Sequence, residues 1–276
     1  MASRYVRVFR DAARRFSAAG SAFTSQAIAF TALFALVPLT LIAVAMLAFV
    51  YGTDDGIARA HTVIQTYVPA IGDLVSGNLD AIVRYRGVSG AIGIVGLIWS
   101  GKNLFQALTF GLNRSLGITQ YRHYVWDVLL ALVFVPFAGV VLIVATVLPV
   151  AVTLVASFTG LESLRWAPQI ASYAGSAALV FVVAALLYYY LPNRRSRWRV
   201  VLPGALVCTI LYSLGQIAFA VYTSYAAYAF QIYGALSALV VLLLWLDLVG
   251  VVFLFGAHVS AAWESEEART PLPLAS

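Results

Sequence analysis

Residues 233–263 read YGALSALVVLLLWLDLVGVVFLFGAHVSAAW, an apolar run with a single carboxylate, Asp247, near its middle. An apolar run of about 18 residues or more is long enough to cross a bilayer as a helix and too long for an ordinary core helix of a soluble domain. A carboxylate at the centre of such a helix costs roughly 2.5–3.5 kcal/mol on insertion scales. Asp247 therefore needs a partner or a purpose.

The rest of the chain has the same character. Of its 276 residues 62% are hydrophobic and only 10% charged, whereas soluble domains run near ~25% charged. Mean hydropathy is +0.92. The apolar residues fall into six blocks, about 27–51, 88–112, 126–157, 169–191, 200–222 and 233–263. This pattern predicts an all-α polytopic bundle of six transmembrane helices forming one domain over 27–263. The first block exceeds a signal-peptide core and is retained as a span.

Net charge is +6, carried by arginine except for Lys102. In a polytopic chain such an excess reads as topology rather than nucleic-acid binding. With the N-terminus inside, the inner segments hold Arg4, Arg7, Arg10, Arg14, Arg15, Arg114, Arg122, Arg194, Arg195, Arg197, Arg199 and Arg269. The outer ones hold only Arg59, Arg84, Arg86 and Arg165. Both termini are therefore expected in the cytoplasm. Cys208 stands alone, so no intrachain disulfide forms.

Three polar segments flank or connect the spans. Residues 1–26 place Tyr5, Phe9, Ala12 and Phe16 at helical spacing among arginines, as expected of a cytoplasmic amphipathic helix lying on an anionic leaflet. An arginine-rich, acid-poor start also fits a mitochondrial transit peptide, a weaker reading because the segment runs directly into a span. Residues 52–87 read as an outer interfacial loop with two short amphipathic helices broken near Pro69, either a lid or a plain cover. Residues 264–276 are expected to be a disordered cytoplasmic tail.

Within the spans, Gly90, Gly93 and Gly96 form a smooth stripe that permits close helix approach. Pro38, Pro136, Pro149 and Pro203 are hinge candidates, equally compatible with packing kinks. Pro38 should free the carbonyl of Phe34.

Soluble-enzyme constellations are absent: no GxSxG, no HExxH and no phosphate-cradling glycine loop. The three histidines, His61, His123 and His258, fall on the outer loop, an inner loop and the inner end of the last span, where they cannot share one metal. The expectation is a non-enzyme with no catalytic residue, metal or cofactor. The informative residues are polar groups in the spans: Lys102, Asn103, Asn113 and Asp247. Lys102 lies 14 residues beyond Val88, and Asp247 lies 14 beyond Tyr233. At about 1.5 Å per residue both sit roughly 20 Å below the outer surface. They are expected to pair, either as part of a substrate or proton site or as a structural tie fixing helix register. Arg114, Arg122, Arg194, Arg195, Arg197 and Arg199 are candidate contacts for anionic headgroups, with topogenic charge as the plainer alternative.

Several stretches together resemble one family. They are AIAFTALFALVPL at 27–39, WSGKNLFQALTFGLN at 99–113, YYYLPNRRSRWRVVLPGAL at 188–206, YGALSALVVLLLW at 233–245 and GAHVSA at 256–261. In this order they resemble the YihY/BrkB inner-membrane proteins, once misnamed ribonuclease BN. The resemblance implies a six-helix, multi-pass bacterial inner-membrane protein linked to envelope integrity and, in some members, serum resistance. Transport or flipping of an anionic envelope lipid or amphiphile is the activity it implies; a non-transporting scaffold for an envelope assembly is the alternative. Expected partners are membrane lipids, anionic ones included, and a second copy of the chain, but no nucleic acid. Two positions depart from the pattern: His258 stands where the family often has Glu, and Asp247 where an aromatic is common. No repeat relates the two halves, although many secondary transporters carry one.

Overall fold

The computed structural model describes residues 2–51, 81, 84–119, 126, 129–134, 136–137, 139–141, 144, 167–194, 196–233 and 235–269. Every regular element among them is an α-helix. We number these α1 (Ala2–Ala18), α2 (Ser21–Tyr51), α3 (Arg86–Ser115), α4 (Ala167–Tyr190), α5 (Trp198–Tyr233) and α6 (Ala235–Arg269). The five helices α2 to α6 each contain a stretch long and apolar enough to cross a membrane. A shorter apolar helical segment, Leu129–Val141, falls in the block where the third span was expected. The architecture is that of a polytopic helical bundle.

Apolar side chains left on the outside show what solvent the helices are built for. Val88, Ile92, Val95 and Trp99 recur every three or four residues along one face of α3 and are 60–69% exposed. Such a stripe is costly in water and favourable against lipid. The glycine stripe on the same helix meets α2. A methyl on Gly93 would lie 2.8 Å from Ile42 Cγ1 and 3.3 Å from the Pro38 carbonyl oxygen, and one on Gly96 would lie 3.1 Å from Pro38 Cβ. Pro38 is thus packed against α3 within a helix that continues to Tyr51.

Two expectations from the sequence are corrected. The N-terminal amphipathic segment is not simply laid on a leaflet: Val8 and Ala12 are buried in one cluster with Val259 and Ala262 of α6. Helical spacing then puts Tyr5, Phe9 and Phe16 on one flank of α1, against Trp263 and Phe255. Arginines occupy the other flank. Moreover, α1 stops at Ala18, because Gly20 takes the left-handed conformation at φ 61°. The Gly20 carbonyl then accepts from Phe23 and Thr24 and starts α2. The second correction concerns the tail: residues 264–269 are the last turns of α6, not a disordered segment. The outer loop over 52–80, most of 142–157, Arg122, Arg195, Pro149 and residues 270–276 lie outside the described residues.

The chain divides into two compact units. The first comprises Met1–Ser25, Leu108–Gly215 and Val251–Ser276; the second comprises Gln26–Ala107 and Gln216–Gly250. Of the arginines assigned inside by charge counting, every one in the described residues falls in the first unit.

Candidate functional site

Local chain geometry brings three polar side chains together in the first unit. Ser21 is the residue after the left-handed Gly20. Ser115 is the last residue of α3, whose end is closed by a second left-handed glycine, Gly117 at φ 67°. There the Ile118 N–H reaches the Asn113 carbonyl at 2.8 Å and the Gly117 N–H the Arg114 carbonyl at 3.3 Å, the paired bonds of a Schellman cap. The two caps hold both serines against His258 of α6. Its Nε2 lies 2.8 Å from Ser21 Oγ and 3.2 Å from Ser115 Oγ. Phe16 meets the ring edge-on at 5.7 Å. The imidazole is 1% exposed, and Nδ1 has no partner among the described residues.

Through His258 Nε2, Ser21 and Ser115 tie the ends of α2 and α3 to α6. Nε2 carries one proton or one lone pair, so the two hydroxyls share a single bond's contribution of about 0.5–1.5 kcal/mol net.

Around this tie the helix ends are cross-linked by polar contacts. Asn113 Oδ1 accepts the Asn193 N–H at 2.9 Å. Arg194 Nη2 reaches both oxygens of Glu264, at 2.8 and 2.9 Å. Arg7 donates through Nε and Nη2 to Glu266 Oε1, at 3.1 and 2.6 Å. Arg15 donates to Asp11 at 2.9 Å and to Ser265 Oγ at 2.9 Å. Arg4 lies over the Trp263 ring at 4.7 Å. Beneath these contacts α5 and α6 cross at van der Waals distance: a methyl on Gly204 would overlap Ser260 Oγ and the Gly256 carbonyl. The buried Tyr188 of α4 donates to the Phe253 carbonyl at 2.5 Å.

Beside the α1–α6 contact lies a cavity of about 210 Å³ lined by Arg7, Arg10, Asp11, Arg14, Ala262, Ser265 and Glu266. On α1 the arginines are three and four residues apart and so share a face, as do Ala262, Ser265 and Glu266 on α6.

The residues singled out by sequence are distributed unevenly over this architecture. Lys102, Asn103 and Asp247 are half-buried and belong to the second unit. Asn113 and Arg194 are joined to the cross-linked helix ends, as above. Arg114, Arg197 and Arg199 are exposed in the first unit. The Arg197 carbonyl accepts from Val200 and Val201 and so opens α5. Pro203 lies within α5 and Pro136 in the short apolar segment. Sequence reading did not find Ser21, Ser115, Glu264 or Glu266. Gly20 and Gly117 could have marked the two serines as helix-end residues, but nothing in the sequence links them to His258.

Among the described residues no group of three His, Cys, Asp or Glu side chains could hold a metal ion. Helices long and apolar enough to cross a membrane, with exposed apolar stripes, define a multi-pass membrane protein. The family described as Virulence factor BrkB matches residues 12–275, and the chain belongs to it. A "UPF0761 membrane protein" of Coxiella burnetii (strain Dugway 5J108-111) is 29% identical over 260 residues, covering 90% of this chain and 89% of the relative. A "UPF0761 membrane protein" of Cronobacter sakazakii is 28% identical, covering 84% and 80%. A Bacillus subtilis relative, named "Putative ribonuclease-like protein YfkH", is 28% identical, covering 86% and 88%. No solved structure matches.

Proposed function

We propose that this chain is a bacterial inner-membrane transporter that moves an anionic envelope lipid or amphiphile across the bilayer and so supports envelope integrity. The observation carrying the reading is the placement of Lys102 and Asp247, two half-buried charges in the same unit of an otherwise apolar bundle. Ionisable groups inside spans are expensive and characteristically line substrate or ion paths. A cation at depth also offsets the desolvation of a moving anion. The reading includes no enzyme activity, and the ribonuclease-like name remains a property of the Bacillus relative.

Reconstitution tests it. Purified protein in vesicles carrying fluorescent phosphatidylglycerol should accelerate loss of the label to an external quencher, and Lys102→Ala and Asp247→Ala should abolish that acceleration. Equal rates in protein-containing and empty vesicles would remove the transport reading. A scaffold is the second reading, favoured by the α5–α6 crossing and the ion-paired helix ends, which fix rather than free the helices. It predicts no acceleration, together with loss of envelope integrity when the crossing is loosened.

A further inference from the structure

We propose that the cavity between α1 and α6 is a site for a phosphate group, and that Glu266 competes with that phosphate for Arg7. Charge bookkeeping around the cavity carries the proposal. Three arginines, Arg7, Arg10 and Arg14, and two carboxylates, Asp11 and Glu266, line it. Asp11 is taken by Arg15 at 2.9 Å and Glu266 by Arg7 at 2.6 Å. Among the described residues Arg10 and Arg14 make no ion pair, yet both line the same cavity. Their guanidinium forks match tetrahedral oxyanions, which accept several parallel N–H bonds at once.

The cavity, about 210 Å³, is smaller than the ~300–1,000 Å³ of pockets that hold whole small molecules. A space of that size admits a phosphate group. The packing of Val8 and Ala12 on Val259 and Ala262 holds the α1 arginines at a fixed distance from α6. That separates a built site from the diffuse attraction of a basic helix to an anionic surface. A lipid headgroup and the free ion present the same phosphate chemistry to the site. The proposal deepens the anionic-lipid reading above and rests on it for the identity of the natural ligand.

The test uses the full-length protein in a neutral detergent, with dioctanoyl phosphatidic acid, dioctanoylglycerol and inorganic phosphate as probes, and tryptophan emission as readout because Trp263 adjoins α1. Phosphatidic acid should bind saturably and dioctanoylglycerol should not. The double variant Arg10→Ala, Arg14→Ala should weaken binding at least tenfold. Arg10→Lys with Arg14→Lys should weaken it severalfold while keeping the charge. Glu266→Gln should tighten it, because Arg7 is released. Competition by inorganic phosphate assigns recognition to the free ion as well; its failure to compete assigns it to the lipid headgroup.

The site is refuted if the lysine variant binds as tightly as the native chain, since charge alone then suffices. It is equally refuted if dioctanoylglycerol binds equally well or if Glu266→Gln binds more weakly. The flipping assay fails separately: phosphatidic acid binding without translocation keeps the site and removes transport. Translocation that survives Arg10→Ala, Arg14→Ala keeps transport and removes the site from its path.

Discussion

Replacing Gly256 by alanine tests the close crossing of α5 and α6. The added methyl would lie 2.8 Å from the Gly204 carbonyl oxygen and 2.9 Å from Cys208 Cβ, and would overlap the Tyr188 hydroxyl. Ordinary carbon contacts sit near 3.5–4.0 Å, so α5 and α6 must separate by roughly 0.5–1 Å. Two of the three obstructing atoms are a backbone oxygen and a Cβ, which cannot rotate aside. Overpacking of this kind costs about 1–3 kcal/mol. Displacing the Tyr188 hydroxyl also forfeits its bond to the Phe253 carbonyl, about 0.5–1.5 kcal/mol. Alanine in place of glycine in a helix returns about 1 kcal/mol. The balance is a loss of about 0.5–3.5 kcal/mol, with a middle value near 2 that corresponds to roughly a 30-fold shift toward the unfolded state.

Equilibrium unfolding in mixed micelles, followed by tryptophan fluorescence, measures the loss. Gly87→Ala is the control, because nothing lies within 4 Å of its added methyl. The close-packing account also requires a smaller Gly256→Ala penalty in a Tyr188→Phe background. An alanine variant as stable as the native chain, or a penalty unchanged in that background, would refute it.

Tyr188→Phe alone should lose about 0.5–1.5 kcal/mol in the same measurement. Ser21→Ala and His258→Ala should be coupled by at least about 0.5 kcal/mol in a double-mutant cycle, and strict additivity would dissolve the proposed tie. Glu264→Ala should cost less than about 1 kcal/mol and lose even that at high salt, because the Arg194–Glu264 pair is exposed on both sides, at 51% and 43%. Exchanging the span charges, Lys102→Asp with Asp247→Lys, should restore expression and stability lost in either single variant. A double variant no better than the singles would mean that the two do not pair.

Much of the fold was legible because a bilayer leaves few choices. Backbone polar groups in hydrocarbon must be satisfied within the segment, so long apolar runs become helices whatever their neighbours do. The block at 169–191 corresponds to α4 at Ala167–Tyr190, and the block at 88–112 to α3 at Arg86–Ser115. The glycine spacing at 90, 93 and 96 announced a close approach, and the structure supplies Pro38, Ile42 and Ala45 of α2 as the surface approached. The ends of the helices were less legible. Glu264 and Glu266 look like solvated tail residues in sequence, yet they lie within α6, with their carboxylates paired to Arg194 and Arg7. Pairing across 70 residues of chain for Arg194–Glu264 and 259 for Arg7–Glu266 has no local signature.

The sequence by itself determined that this protein is all-helical and polytopic, with helices long and apolar enough to cross a membrane. Those properties follow from transfer free energy summed along the chain, and order along the chain is all they need. Tertiary structure alone decided that Ser21 and Ser115 meet His258, and that Gly204 meets Gly256. It also decided that α1 leans its arginines over α6 to form a cavity. These depend on helix rotation and crossing, which side-chain shape and the two left-handed glycine caps fix only once the helices are packed.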